Sequence, residues 1–468
     1  MSFDSMIATG MAVFKQKLEE FCRVESEKPL SPEVAHAITS GITEAATAAS
    51  RAVFEAFLES KDVRSPDVVV GDETFRFKCL SEKTFLSFWG AVAVIRALYQ
   101  SADDTRTFVP LDAAWGMEGH FMVAEVREAS SFAHAQMPSA EAQTLFEKCA
   151  LFHPHRTQIK RLSRDMENVF EAHRAELDER IRAEEELPAG VCALAVSMDG
   201  ANVLMREPGG KRGRPAERPM EMRQSEDTAY RNAMAGTVTL YGAVPEGKKT
   251  PKRLSTRYVA RMPEENALRF KSQLEAEVAA VLKKLPPETP KVFLCDAARS
   301  LWKYRKQSHL FRTFEPLVDC CHALEHLSLA AEAVFGKGAK EAAAWFERYT
   351  TVLIEKDDGA RRVLRSMDYH AKTRALSASQ RTAYKQQRKF FANNALMMTY
   401  AQFRRRGLPI GSGPVEAACK TLIKQRLCQS GMRWSSEGGQ AILDLRAYIK
   451  SRRWDSMWKH YNELEKAA

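Results

Sequence analysis

The sequence predicts a mixed α/β chain. A central sheet carries acids where buried strands meet solvent, an all-α insertion interrupts it, and a mostly helical region with a small β ribbon precedes it. Three observations carry that prediction. Residues 191–200, VCALAVSMDG, form a short apolar run rich in β-branched and small residues that stops at Asp199 and Gly200, the pattern of a strand buried on both faces. Residues 291–298, KVFLCDAA, repeat it and stop at Asp296. Residues 323–405 are helical in pattern almost throughout. Asp-Gly after a strand is also ordinary turn chemistry. The second strand-end acid is what turns Asp199 into a candidate ligand, because an unpartnered carboxylate at the end of a buried strand costs free energy.

Size and composition set the frame. With 468 residues the chain is too long for one core, so two to four structural units are expected. No apolar run reaches the length of a membrane span, and the N-terminal stretch lacks the basic start and cleavage site of a signal peptide. A cytoplasmic protein without a membrane partner is therefore expected. The nine cysteines are scattered with no CxxC pair, which suggests neither a disulfide framework nor a zinc ribbon. The net charge of +10 favours a polyanionic partner.

In chain order, residues 1–65 read as helical. Ser31-Pro32-Glu33 has a capping Ser, a first-turn Pro and an acid at the positive end of the dipole. Residues 66–138 read as a β-ribbon region, with strands at 68–70, 74–80 and 88–99 punctuated by Gly71 and Gly90. Residues 139–190 return to helical period across a break at His153-Pro154. They read either as a charged helical linker or as a helix-turn-helix whose second helix offers Lys160 and Arg161 to DNA. The loop after Asp199, with Arg212-Gly213-Arg214-Pro215, reads either as a solvated loop or as a narrow segment whose two guanidinium groups enter an A·T minor groove.

Two more strands are expected at 237–244 and 253–261, then a long amphipathic helix at 264–285 stopped by Pro286-Pro287. The order strand, strand, strand, helix, strand is that of a ribonuclease H-like fold, in which the first and fourth strands lie side by side. That arrangement brings Asp199 and Asp296 together. A fifth strand is expected to end in Asp319 and His322, closing a first catalytic part at 191–322. After the helical insertion, residues 406–468 supply the final helices, the first of which opens with Glu416 and then turns basic.

The fragments SMDG, CDAA, DCCHALEHL, GSGPVEAACK and SGMRWSSEGGQAILDLRA, in this order, resemble the DDE transposases of bacterial insertion sequences, specifically the Kra-type group, whose core is related to that of Mutator-like elements. The resemblance is strong over residues 190–468 and loose before them. It implies that Asp199, Asp296 and Glu416 form the DDE triad, and that Asp319 and His322 form an Asp-x-x-His signature with a catalytic His322. A strand-end histidine held by hydrogen bonds is the plainer reading of that residue. Mg²⁺ is the implied cofactor, with Mn²⁺ substituting, because such ions take oxygen ligands. Several relatives carry a cysteine zinc ribbon in the region matching residues 96–112. Residues 99–104 contain no cysteine here, so no structural zinc is expected.

The implied partners are terminal inverted repeats and target DNA, met by a homodimer or larger oligomer in the bacterial nucleoid. Lys420, Lys424, Arg426 and Arg433 are expected at phosphates, and Trp434 either stacks on a displaced base or packs in the core. Two other functions fit the same residues: a nuclease or resolvase without strand transfer, and a non-catalytic DNA-binding protein derived from a transposase.

Overall fold

The structure, a computed structural model, describes residues 2–206 and 230–467. The chain is mixed α/β and divides into two compact units, one of Met1–Asn168 with Asn462–Ala468 and one of Val169–Tyr461.

The first unit opens with a helical hairpin, α1 (Phe3–Ser26) and α2 (Pro32–Ser60). Ser31 caps α2 by accepting from the Val34 N–H, as the Ser-Pro-Glu start predicts. Gly10 and Gly41 let the two helices approach closely, since a Cβ at Gly41 would lie 2.8 Å from both Cys22 Sγ and Phe21 Cβ. A four-stranded antiparallel sheet follows, ordered β1 (Asp67–Val70), β2 (Glu73–Ser87), β3 (Gly90–Ser101) and β4 (Thr107–Phe108). The ribbon is thus a sheet whose second strand is longer than the sequence indicates and whose third starts and ends two residues later, the central hairpin turning through Phe88 and Trp89 into Gly90 with φ +99°. Helices α3 (Pro110–Trp115), α4 (Ala124–Gln136), α5 (Ser139–Cys149) and the start of α6 (Arg156–Glu184) complete the unit. The second helix of the expected helix-turn-helix is this 29-residue α6, and the boundary between the units falls inside it.

The second unit is built on a five-stranded sheet ordered β7-β6-β5-β8-β9, comprising β5 (Ala193–Leu204), β6 (Tyr230–Tyr241), β7 (Arg253–Arg261), β8 (Lys291–Cys295) and β9 (Glu315–Val318). The first three strands are antiparallel neighbours, whereas β8 and β9 run parallel to β5. The expected adjacency of the strands carrying Asp199 and Asp296 is therefore present. One face is covered by α7 (Leu268–Leu282), whose Phe270 and Leu274 press on Gly236. The other is covered by the segment after Ser412, with Val415, Ala418, Leu422 and Ile423 packed on Ala201, Val203, Ala233 and Ala235.

Helix α8 (Arg299–Gln307) joins β8 to β9. An all-α block then follows: α9 (Cys320–Phe335), α10 (Lys340–Glu355), α11 (Gly359–Thr373), α12 (Ala378–Asn394) and α13 (Tyr400–Arg405). The chain closes with α14 (Gly413–Ala418), a π-helical segment Cys419–Lys424, α15 (Gln425–Leu427), α16 (Ser436–Lys450) and α17 (Trp454–Ala467).

Three expectations are corrected. The first strand does not stop at Asp199: it continues to Leu204, because β6 pairs with it along its whole length and Gly200 leaves room for the Asn232 side chain. The fifth strand stops at Val318, and His322 lies in α9, because Asp319 accepts from the Cys321 N–H and caps a helix there. The single helix expected at Glu416 runs unbroken from Gly413 to Leu427 but is not α-helical throughout, since the π segment Cys419–Lys424 lies inside it.

Candidate active site

Register builds the site. In the parallel pair β5–β8, Val196 is paired with Phe293, so Asp199 and Asp296 each stand three residues beyond the same rung. In β8–β9, Cys295 is paired with Val318, so Asp296 and Asp319 each stand one residue beyond a shared rung, and the Asp319 N–H donates to Cys295 O at 2.8 Å. Three aspartates thus lie abreast at one edge of three adjacent strands, where neighbouring chains are about 4.8 Å apart. Asp199 pairs with Ala235 across the sheet and shares its face, the one covered by α14 and the π segment. The Cys419 thiol is hydrogen-bonded to Asp199, and burial together with that acid pushes the thiol up.

Glu416 comes from α14, whose start is set by Gly413 and Pro414. Ser412 precedes it, and its hydroxyl does not cap the helix. It donates instead to Asp319 Oδ2 at 2.8 Å and reaches Glu416 Oε1 at 3.3 Å. The Ser412 N–H also donates to Asp319 Oδ2 at 3.2 Å, so Asp319, only 1% exposed, is fixed by both neighbouring elements. Ligand atoms of Asp319, Cys321 and Glu416 all lie within 4.8 Å of one another.

The electrostatics are those of crowded acids. Burial raises the proton affinity of Asp296, and Asp199 and Asp319 add to it, while the Ala298 N–H and His322 oppose it. Burial also raises Glu416, with Asp319, Glu325 and Asp199 adding to the effect against the Ser412 hydroxyl. Among the described residues, none of Asp199, Asp296, Asp319 and Glu416 forms an ion pair with a basic side chain, although many other acids of the chain do. His322 lies in the first turn of α9 with Nδ1 3.5 Å from Glu325 Oε2 and its ring edge-on to His326. His326 itself is stacked on Phe390 and bonded to Gln387, a packing role.

The carboxylates of Asp319 and Glu416 are the oxygen donors of the one group of described residues with ligand atoms in common range of an ion. Carboxylates lacking a cationic partner are the natural ligands of a hard divalent cation. Cys321 is a poor one, since burial, Asp319 and Glu416 all hold its thiol protonated.

Asp199, Asp296, Glu416 and His322 are near enough for their charges to act on one another, but among the described residues the group whose ligand atoms lie within 4.8 Å is Asp319, Cys321 and Glu416, without Asp199 or Asp296, and Ser412 joins two of its members. Asp319 was legible only as part of a signature with His322. Ser412 lay within the GSGPVEAACK fragment, where no sequence signal marks it as the hydroxyl joining two acids.

The residues expected at DNA divide. Lys420, Lys424 and Arg433 are exposed after Glu416. Arg426 is 2% exposed, its guanidinium 5.3 Å from the Trp434 ring centre, so it is a core residue and not a phosphate ligand. Trp434 donates from Nε1 to Leu427 O at 2.9 Å and packs against the core beside the sheet, which favours packing over base stacking. Lys160 and Arg161 are exposed on α6 within the first unit, Arg161 beside Asp165. Arg212 and Arg214 lie outside the described residues.

No protein-family model matches the chain, and a search of curated proteins finds no match. No helix among the described residues is long and apolar enough to cross a membrane.

Proposed function

We propose that the chain is a DNA transposase of the DDE type that cuts at the ends of an insertion sequence and joins the freed 3′-hydroxyl to target DNA. On this reading the sheet ordered β7-β6-β5-β8-β9 is a ribonuclease H-like core, and Asp199, Asp296 and Glu416 are the acids that hold Mg²⁺. One observation carries it: strand register sets Asp199, Asp296 and Asp319 abreast, and Ser412 links Asp319 to Glu416. Bound divalent ions would supply charge neutralisation at phosphorus and activation of the attacking and leaving oxygens.

The chain's own residues supply the rest. Asp319 and Ser412 orient Glu416 and join the edge of the sheet to α14. His322 places an imidazole beside Asp296, where its cationic form favours the ionised acid. Exposed Lys420, Lys424 and Arg433 offer charge to a phosphate backbone close after Glu416 in sequence.

The test is incubation of the full chain with duplexes carrying the element's terminal repeats, a target plasmid and Mg²⁺. Joined products support transposition, and cut products alone reassign the protein to a nuclease. Asp199→Asn and Glu416→Gln are expected to abolish cutting while duplex binding persists. Undiminished cutting by either variant removes the assignment of these acids.

A further inference from the structure

The positive charge of this chain is not spread evenly. Residues 359–415 contain twelve Lys and Arg but a single acid, Asp368, a net +11 against +10 for all 468 residues. Five of the twelve are paired with acids outside the stretch, Arg362 and Arg365 with Asp358, Arg404 with Glu355, Arg405 with Asp357 and Arg406 with Glu315, so the charge left for a polyanion has to be sought among the others.

Within the stretch, α11 and α12 both carry charge on an exposed face, but Arg362 and Arg365 of α11 are paired with Asp358, whereas most of the charge on α12 is unpaired among the described residues. The α12 sequence, ASQRTAYKQQRKFFANN, has no acid at all. Arg381, Lys385, Arg388 and Lys389 recur at helical spacing and are exposed. The opposite face is packing surface: Gln387 is 4% exposed and Phe391 fully buried. Arg388 is paired with Asp368 at 2.7 Å, whereas Arg381, Lys385 and Lys389 form no ion pair among the described residues. A helix rises about 1.5 Å per residue, so Arg381, Lys385 and Lys389 follow one another at about 6 Å. Phosphates of one strand advance about 3.4 Å per step along the duplex axis, so the three side chains, spread over about 12 Å, span several phosphates.

The stripe also leads somewhere. α12 packs on α9 through the His326–Gln387 hydrogen bond of 2.6 Å and the stacking of His326 on Phe390. Phe390 also meets the ring of His322, in the first turn of the helix that Asp319 caps. The C-terminal half of α12 therefore lies beside the acid cluster.

We propose that the Arg381–Lys385–Lys389 face of α12 is a phosphate-binding surface that seats a DNA duplex and directs its backbone toward Asp199, Asp296 and Glu416. The proposal rests on the transposase reading for the substrate and on charge and spacing for the surface. Phosphate contacts of this kind position a duplex without reading its sequence.

The experiment measures binding of the full chain to a labelled duplex of arbitrary sequence over a series of potassium chloride concentrations. The variant R381Q/K385Q/K389Q is expected to bind more weakly at every salt concentration. Its plot of log affinity against log salt should be shallower by about 3, roughly one for each phosphate that the three side chains neutralise. The control K248Q/K249Q, at the turn between β6 and β7 near the opposite end of the sheet, should keep the wild-type slope. A folded triple variant with the wild-type affinity and slope overturns the proposal, and so does a control weakened as much as the triple variant. Tight binding of an acidic polypeptide, abolished in the triple variant while duplex binding is unchanged, would overturn it in favour of a protein partner. Salt behaviour as expected without Mg²⁺-dependent cutting by the wild type would sink the transposase reading alone.

Discussion

Asp319 shows how much one side chain can be asked to do. It accepts from two backbone N–H groups and one hydroxyl and is almost without solvent. Truncation would leave those donors unsatisfied inside the protein, and hydrogen bonds to a charged acceptor are the stronger kind. Asp319→Ala is therefore expected to lower stability by about 2–4 kcal/mol in urea denaturation. Ser412→Ala should cost less, about 1–2 kcal/mol, since the Ser412 N–H remains. The neighbouring acids act in the other direction. Asp296 is raised by burial and by two aspartates beside it, so a divalent ion should stabilise the fold by linkage. Mg²⁺ is expected to raise the Tm of the wild type by several degrees, and Asp296→Asn should abolish most of that rise. A wild-type Tm indifferent to Mg²⁺ and Mn²⁺ would remove the metal reading.

Among the elements, the crossing of α10 and α11 is held by one small residue. A Cβ on Gly359 would lie 2.5 Å from Val352 O and 2.8 Å from both Leu353 Cα and its carbonyl oxygen. These are backbone atoms of a packed helix and cannot move aside cheaply. Gly359→Ala is expected to cost about 2–3 kcal/mol in chemical denaturation. The π segment Cys419–Lys424 is the other unusual element. It lies directly after the helix of Glu416 and keeps Cys419, Leu422 and Ile423 buried against the sheet. Such bulges recur at functional sites. Here the irregularity lets Cys419 reach Asp199 while Lys420 and Lys424 stay exposed.

The sheet unit as a whole is tied by buried ion pairs that involve none of the clustered acids. Glu277, 4% exposed, accepts from Arg182 Nε at 2.8 Å and Arg453 Nη1 at 3.0 Å, and Glu185 joins Arg453 to Arg257. Burial pushes Glu277 up, but Arg453 and Arg182 more than offset it and hold the acid below the usual carboxylate range. The unfolded chain therefore binds the proton more readily. The stabilisation is complete above the unfolded pKa and disappears as pH falls through the folded one. Arg453→Met is expected to cost about 3–5 kcal/mol at neutral pH, because it leaves a buried charge poorly compensated. The difference from wild type should shrink when denaturation is repeated at acid pH.

Most of the features readable in the chain alone are local ones. Apolar runs ending in Asp199 and Asp296, the Ser-Pro-Glu start of α2, and the insertion of 323–405 are each written in neighbouring residues, where period and capping chemistry act. The adjacency of the two acid-bearing strands followed from the order of elements alone. Packing settled what depends on distant partners. It prolonged β5 to Leu204, because β6 was there to pair with it, and turned the end of β9 into a helix that Asp319 caps. It buried Arg426 beneath Trp434, although a basic run looks solvent-facing on paper. It joined Asp319 to Glu416 through Ser412, a link spanning 93 residues of chain between Asp319 and Ser412 that no local pattern encodes. Burial and hydrogen-bond partnership belong to the packed chain, because each is set by whichever atoms arrive from elsewhere.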